Sequence, residues 1–335
     1  MVLGGTAFIG RHLVQLLLAR GHDVTVLNRG GTPAPDGVEQ RVADRRDCAG
    51  MRAVLGKEEW DEIYDVSASV QVAGTAEIAD LLDFVDGRCG MYQFISSIAA
   101  YQMGQGAFPW QETLPTTRSR ETKYGGHKAA VERMLAARRA RTGFAYTVIR
   151  PAAVYGPWNN IPDGEMAMFQ RLGQRRPVLV PHDGLVCFPY GHVEDLARAM
   201  VLAAAHPAAV GEIFNLSGES VTARHYVMTI GRILGVEPEI VAVPDAVAAT
   251  LTGPLPFNHR FQKLLHAVVS VDKARRLLDF EPTFDFETGH RQTYDWFLAQ
   301  GFDRLQNPMV DPVWDISWDF ALEARLLETL RIAVR

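Results

Sequence analysis

Val2-Leu3-Gly4-Gly5-Thr6-Ala7-Phe8-Ile9-Gly10-Arg11-His12-Leu13 opens the chain and decides its fold. An apolar strand stub, a glycine-rich turn and an amphipathic helix follow one another directly. The glycines let the backbone turn tightly and approach a pyrophosphate, and Gly10 lets the helix pack closely on a sheet. The helix N-terminus adds free N–H groups and about half a positive charge. The middle glycine of a G-x-x-G-x-x-G pattern is Ala7 here, and its methyl group narrows the approach without closing it. Gly4, Thr6, Ala7, Phe8, Ile9 and Gly10 are therefore candidate cofactor-binding residues.

Outward from that loop, short apolar β-type runs alternate with helical patterns. Val24–Leu27, Ile63–Val66, Tyr92–Ile95 and Tyr146–Ile149 read as strands, with helical periodicity near 10–20, 49–56, 73–86 and 125–141. Such alternation predicts βαβ units and a parallel sheet buried on both faces. After Pro151 prolines become dense and strands short (177–181, 212–216, 239–243), between helices near 163–173, 193–206 and 222–234. The expected fold is α/β: a Rossmann-type doubly wound parallel sheet with a smaller C-terminal substrate lobe. A dinucleotide-binding domain is expected over 1–155, with 186–220 packing back on it, and the lobe and C-terminal tail over 156–335.

The second strand ends Leu27-Asn28-Arg29. An NAD site usually places an acid there to accept the ribose 2′-hydroxyl. Asn28 removes the acid, and Arg29 suits a 2′-phosphate, which tilts the cofactor choice from NAD towards NADP. Further on, a strand ends Ile95-Ser96-Ser97, and Tyr124-Gly125-Gly126-His127-Lys128 opens a long helix. Tyr124 and Lys128 lie one turn apart on one face. An ammonium at roughly 4 Å, with an effective dielectric near ~20, favours the phenolate by about 4 kcal/mol. That makes Tyr124 a candidate general acid/base, with Lys128 tuning it and Ser97 steadying the substrate oxygen.

The 335 residues are 47% hydrophobic and 22% charged with a net charge of −5, a soluble globular composition and a poor polyanion binder. Cys48, Cys89 and Cys187 stand far apart, so a disulfide framework is not expected and a reducing cytoplasm fits. The start carries no signal-peptide pattern, and no apolar run reaches the ~18–20 residues of a membrane span. Ten histidines show no ligand-spaced pair, so no metal is expected. Arg133, Arg138, Arg139 and Arg141 read as a solvated helix face, and Trp314 and Trp318 as docking the tail.

These pieces together resemble an extended short-chain dehydrogenase/reductase of the NAD-dependent epimerase/dehydratase group. The matching segments are GGTAFIG at 4–10, the Asp44 turn, Ser67-Ala68, SSIAAY at 96–101, YGGHK at 124–128, RPAAVYGP at 150–157 and HVEDLARAM at 192–200. The resemblance covers about residues 1–300. It implies that Asp44 contacts the adenine and that Ala68 lines the nicotinamide ribose side, with Arg45 and Ser67 beside them as further cofactor-binding candidates. It also implies that Lys128 holds the ribose hydroxyls, and that Pro151 to Ala153 flank the nicotinamide. Ser97, Tyr124 and Lys128 match the catalytic positions. The family implies a homodimer. GGTAFIG followed by NRG also resembles a branch related to a chloroplast RNA-binding protein.

Sugar-nucleotide members usually carry an arginine before the HVED helix, whereas Gly184–Gly191 here holds no cation. Arg171, Arg175, Arg176, Arg260 and Arg291 are the alternatives, and Asn159 is a candidate substrate contact beside Ser97 and Tyr124. The leading expectation is an NAD(P)-dependent epimerase or dehydratase of a sugar, nucleotide-linked, working by transient hydride transfer. The alternatives are an NADPH-dependent reductase of a small ketone or aldehyde, and a non-catalytic RNA-binding or regulatory protein. A nucleic-acid partner is disfavoured by the acidic charge and the complete Ser/Tyr/Lys set.

Overall fold

The computed structural model describes residues 1–161, 164–250, 261, 265–301, 310–311, 316–317 and 320–333. In chain order the elements are β1 (Val2–Leu3), α1 (Phe8–Ala19), β2 (Thr25–Asn28), β3 (Glu39–Val42), α2 (Cys48–Leu55), β4 (Trp60–Asp65), α3 (Thr75–Val85), β5 (Cys89–Ile95), α4 (Tyr124–Thr142) and β6 (Tyr146–Pro151). Then follow β7 (Ala153–Tyr155), α5 (Glu165–Gly173), β8 (Val178–Pro181), β9 (Cys187–His192), α6 (Val193–Ala205), β10 (Ile213–Leu216), β11 (Ser220–Thr222), α7 (Ala223–Leu234) and β12 (Ile240–Val243). Last come α8 (Asp245–Ala248), α9 (Asp272–Leu278), α10 (Phe286–Ala299), β13 (Val310–Asp311), β14 (Ile316–Ser317) and α11 (Phe320–Ala333).

The chain divides into two compact units: Met1–Val154 with Gly191–Ser217 and Val269–Thr283, and Tyr155–Tyr190 with Gly218–Val268 and Phe284–Arg335. The first holds a seven-stranded sheet in the order β10-β6-β5-β4-β1-β2-β3, parallel at every pair. Side chains alternate across it. Val2, Val26, Tyr64 and Ile149 face a core shared with Leu13 and Leu17 of α1 and Met200 of α6. Leu3, Leu27, Ile63 and Val148 face a second core, with Met51 of α2, Ile78 and Leu82 of α3 and Leu135 of α4. Two dry faces explain why these strands read as unbroken apolar runs. The sheet is the Rossmann-type doubly wound one.

The chain moves outward from β1 to β2 and β3, then returns to β4 on the other side of β1. Such a reversal leaves a crevice at the carboxyl ends of β1 and β4, where open α/β sheets bind ligands. Two details differ from the sequence reading. β3, at the sheet's edge, has the pattern Glu39-Gln40-Arg41-Val42, with no apolar face to betray it. Arg138 is buried on α4 and pairs with Asp83 and with Asp86 (2.9 Å), so it does not belong to a solvated face.

In the second unit β8 pairs in parallel with β12, and β11 runs antiparallel to β9. Tyr190, Tyr226, Phe286 and His290 form an aromatic core, with ring centroids 4.1 to 6.5 Å apart. A buried ion pair, Arg171 to Glu323 at 2.5 Å, ties α11 to α5. No helix among the described residues is long and apolar enough to cross a membrane.

Candidate active site

The glycine loop is held by close backbone contact. Gly4 has φ +92°, and a Cβ at Gly10 would stand 2.0 Å from the Gly4 carbonyl oxygen. Ala7 is extended (φ −131°) and caps α1 without a side-chain hydrogen bond, and the first turn holds no acidic residue. Phe8, with φ +33°, sits in the left-handed region, a strain of about 1–2 kcal/mol for a non-glycine residue. A helix start with no side-chain cap, packed against a glycine turn, is the geometry a pyrophosphate needs, so these residues fit a dinucleotide.

Asn28 is fully engaged at the end of β2. Its amide nitrogen donates to Thr6 Oγ1 at 3.2 Å and to the Thr32 carbonyl at 3.0 Å. Its oxygen accepts from the Gly30 amide at 2.8 Å and Gln40 Nε2 at 2.9 Å. Asn28 thus braces the glycine loop against the 28–32 turn. Arg29 beside it is exposed.

Asp44 is exposed and accepts the Arg46 amide at 3.0 Å. Arg45, a cofactor-binding candidate, turns inward. Its guanidinium grips Asp65 at 2.5 and 2.7 Å and donates to Ser67 Oγ at 3.0 Å. Tyr92 donates to the same carboxylate at 2.5 Å. The cluster holds the Asp44 turn and the end of β4 in fixed relation.

Ser97 opens a single 3₁₀ turn, Ile98–Ala100, and its Oγ accepts the Ala99 amide at 3.1 Å. α4 starts hard against that turn, where a Cβ at Gly125 would lie 2.2 Å from the Ala99 carbonyl oxygen. The contact brings the Tyr124 phenol next to the Ser97 hydroxyl. Burial raises the Tyr124 phenol above the ordinary tyrosine value, and the Ser97 hydroxyl pulls it back down.

Lys128 does not act on Tyr124 in the way the spacing suggests. Its Nζ lies 5.6 Å from the Tyr124 ring centroid and donates to the carbonyls of Ala68 at 2.5 Å and Ile95 at 2.6 Å. Those two carbonyls sit just beyond β4 and at the end of β5, so the lysine bridges two strand ends beside the candidate crevice. Burial brings its ammonium down to about 8, opposed by the Asp65 and Glu132 charges. His127, one residue earlier, contacts the Ala73 carbonyl at 2.9 Å, and burial lowers it.

Pro151 is buried at the end of β6 and Ala153 half-buried at the start of β7, with the Ala152 amide bonded to the Leu216 carbonyl at 2.9 Å. Asn159, in the second unit, is buried. It donates to Glu165 at 2.5 Å and accepts the Ile161 amide at 3.0 Å, which is a bracing role. Of the cations weighed for a diphosphate, Arg171 pairs with Glu323 and Arg291 with Glu287 at 3.1 Å. Arg260, Trp314 and Trp318 lie outside the described residues.

Sequence reasoning passed over Asp65, Tyr92, Glu132 and Arg150. The signal was present: Asp65 and Arg150 are charges inside the apolar strand runs Ile63–Val66 and Val148–Pro151. A charge in a strand buried on both faces requires a partner.

The NAD-dependent epimerase/dehydratase family model matches residues 1–217. The chain belongs to that family. The chloroplast stem-loop binding protein of 41 kDa b from Arabidopsis thaliana is 30% identical over 324 residues, covering 91% of this chain and 81% of the relative. A 3 beta-hydroxysteroid dehydrogenase/Delta 5→4-isomerase from Mycobacterium tuberculosis is 24% identical over 351 residues, covering 92% of each chain. Among solved structures, UDP-glucose 4-epimerase of Thermus thermophilus in complex with NAD superposes with a TM-score of 0.72 at 25% identity, covering 89% of this chain and 98% of that one. The family explains why the glycine loop, the Ser97 turn and the start of α4 occur on this sheet.

Proposed function

We propose that this protein is an NAD(P)-dependent epimerase or dehydratase of a nucleotide-linked sugar, working by transient hydride transfer. The observation that carries the reading is the meeting of Tyr124 with Ser97 beside Lys128, whose Nζ spans the ends of β4 and β5. In a doubly wound sheet, ligands bind at that edge. When bound, the nicotinamide supplies a hydride acceptor that can also give the hydride back. Tyr124 takes the proton of the substrate hydroxyl and later returns it. Ser97 donates a hydrogen bond to the substrate oxygen as it becomes a carbonyl. Lys128 keeps positive charge at the ends of β4 and β5 and holds the ribose hydroxyls of the cofactor. Gly4 to Gly10 take the pyrophosphate, Asp44 borders the adenine, Ala68 lines the nicotinamide ribose side, and Pro151 to Ala153 flank the nicotinamide.

A second reading, a net reductase of a small ketone or aldehyde, has its own support. The hydroxysteroid dehydrogenase relative acts on a secondary alcohol by its name, and the Gly184–Gly191 segment carries no cation for a diphosphate. Denaturing the freshly purified protein and identifying the released nucleotide by mass separates the two. About one NAD(P)⁺ per chain is the expected result, because a cofactor recycled in place has no need to leave. An empty protein that binds NADPH tightly would favour the reductase. An empty protein that binds neither nucleotide would overturn both in favour of a non-catalytic role such as that named for the stem-loop-binding relative.

A further inference from the structure

Residues 124, 128 and 132 stand four apart on α4 and share one face. Tyr124 and Lys128 have roles in the proposed chemistry, and Glu132 has none. Its carboxylate is 4% exposed. A carboxylate buried that deeply survives as a charge only when donors surround it. Three do: Ser96 Oγ at 2.5 Å, Arg150 Nε at 2.9 Å and Arg150 Nη2 at 2.5 Å.

Each donor sits at a strand end that carries candidate site residues. Ser96 precedes Ser97 just beyond β5, and Arg150 precedes Pro151 in β6. The network continues from there. Arg150 lies 4.4 Å from the Tyr101 ring centroid and donates to the Glu112 carbonyl at 3.3 Å. The Tyr101 hydroxyl donates to Asn215 Oδ1 at 2.7 Å, and the Asn215 backbone N–H donates to Glu112 Oε1 at 2.8 Å. The segment between Ser97 and α4 is therefore fastened to β10 through Asn215 and to β6 through Arg150, and Glu132 holds that arginine to the Ser96 strand end.

Glu132 also belongs to the charged surroundings of Lys128. Asp65 on β4 and Glu132 on α4 favour the ammonium, Arg45 from the turn before α2 opposes it, and burial opposes it further. Tyr92 of β5 hydrogen-bonds Asp65, and His127 and Tyr124 flank Lys128 on its own helix. A buried ion pair adds little stability over a well-packed apolar pair, so folding alone gives weak reason for one here.

We propose that Glu132 is a positioning residue of the hydride-transfer site: locked to Ser96 and Arg150, it aligns the Ser97 strand end with α4 and holds a fixed negative charge against the Lys128 ammonium. The role rests on the catalytic reading of Ser97, Tyr124 and Lys128 given above.

The chain has five lysines, so lysine-labelled full-length protein gives a simple NMR spectrum. The Lys128 side-chain signal, assigned by its loss in Lys128→Met, is titrated without cofactor in the wild type, Glu132→Gln and Glu132→Asp. The expected midpoint in Glu132→Gln is lower than in the wild type by about 0.5–1 pH unit. Glu132→Asp recovers most of the difference. An unmoved midpoint in a Glu132→Gln protein with native circular dichroism overturns the proposal. If Glu132→Gln does not fold, Glu132→Gln/Arg150→Met is compared with Arg150→Met, so that only the Glu132 charge differs: a lower midpoint in the double variant is expected, and equal midpoints overturn the proposal. Turnover enters none of these readouts. Activity retained by Tyr124→Phe would overturn the catalytic reading, and this role with it, even with the titration shift intact. An unmoved midpoint removes the role alone.

Discussion

Arg45 and Asp65 grip each other through two hydrogen bonds of 2.5 and 2.7 Å, with Asp65 wholly buried and Arg45 only 6% exposed. Neither charge has water to fall back on. Removing one partner strands the other in a medium that solvates ions poorly, at a cost of about 3–5 kcal/mol. Asp65→Asn is therefore expected to destabilise the protein by about that amount in urea denaturation. Arg45→Met/Asp65→Asn should cost clearly less than the sum of the two single changes, because no unpaired charge remains. Simple additivity in this cycle would show that the pair is not coupled.

Gly10→Ala tests the phosphate loop. The added methyl would stand 2.0 Å from the Gly4 carbonyl oxygen and 2.9 Å from the Gly5 Cα, both backbone atoms. Backbone cannot swing aside as a side chain does, so the loop must shift. The expected result is a lowered Tm and at least a roughly tenfold loss of NAD(P)⁺ affinity by calorimetry, about 1.4 kcal/mol. Undiminished affinity would mean that the loop does not cradle the cofactor.

Much of this arrangement was legible because local rules acted alone. The loop 4–10 follows from glycine spacing, and the central strands follow from apolar runs that two dry faces require. Tyr124 and Lys128 follow from a helical turn. What escaped depended on partners far apart in sequence. Asp65 meets Arg45 across 20 residues and Glu132 meets Arg150 across 18, and no periodicity announces such pairs. β3 escaped because an exposed edge strand needs no apolar face. Lys128 misled in a different way. Spacing correctly placed it one turn from Tyr124, but two carbonyl oxygens from other strands claim its ammonium.

Tyr124→Phe keeps the ring and deletes the proton carrier. Loss of a positioned general acid/base typically lowers turnover by about 10²–10⁴-fold. The variant should retain cofactor affinity within roughly twofold, a change of only ~0.4 kcal/mol. Both are read on the first sugar nucleotide or ketone found to turn over. Activity near the wild-type level would remove Tyr124 from the chemistry.

Lys128 gives the cofactor-free protein a distinctive pH response. Its ammonium is brought from the ordinary lysine value of 10.5 down to about 8 by burial. In the unfolded chain it keeps its proton to about pH 10.4. Between those values the unfolded state binds more protons, so this residue's contribution to stability rises with pH. Below pH 8 it carries its full penalty, about 3 kcal/mol. The difference in unfolding free energy, wild type minus Lys128→Met, should therefore grow between pH 8 and 10. Taking the difference cancels other groups titrating there, including Cys89, whose thiol is pushed up to about 12 by burial. A flat difference would mean that Lys128 is not held in a desolvated site.

Arg29 should decide between the two nicotinamide cofactors. It is exposed at the end of β2, next to an Asn28 whose amide is wholly engaged in bracing the loop. Asn28 therefore presents no acid to a ribose 2′-hydroxyl, and the Arg29 guanidinium is the proposed partner of a 2′-phosphate. A charge-assisted hydrogen bond of this kind contributes about 1.5–3 kcal/mol, or roughly 10- to 150-fold in affinity. Arg29→Ala is expected to weaken NADP⁺ binding by that factor and to leave NAD⁺ binding nearly unchanged, as measured by titration calorimetry. The effect should shrink as ionic strength rises, because the contact is exposed to screening. Equal losses for both cofactors would point to a contact with the pyrophosphate or adenine instead, and no loss for either would assign cofactor selection to other residues.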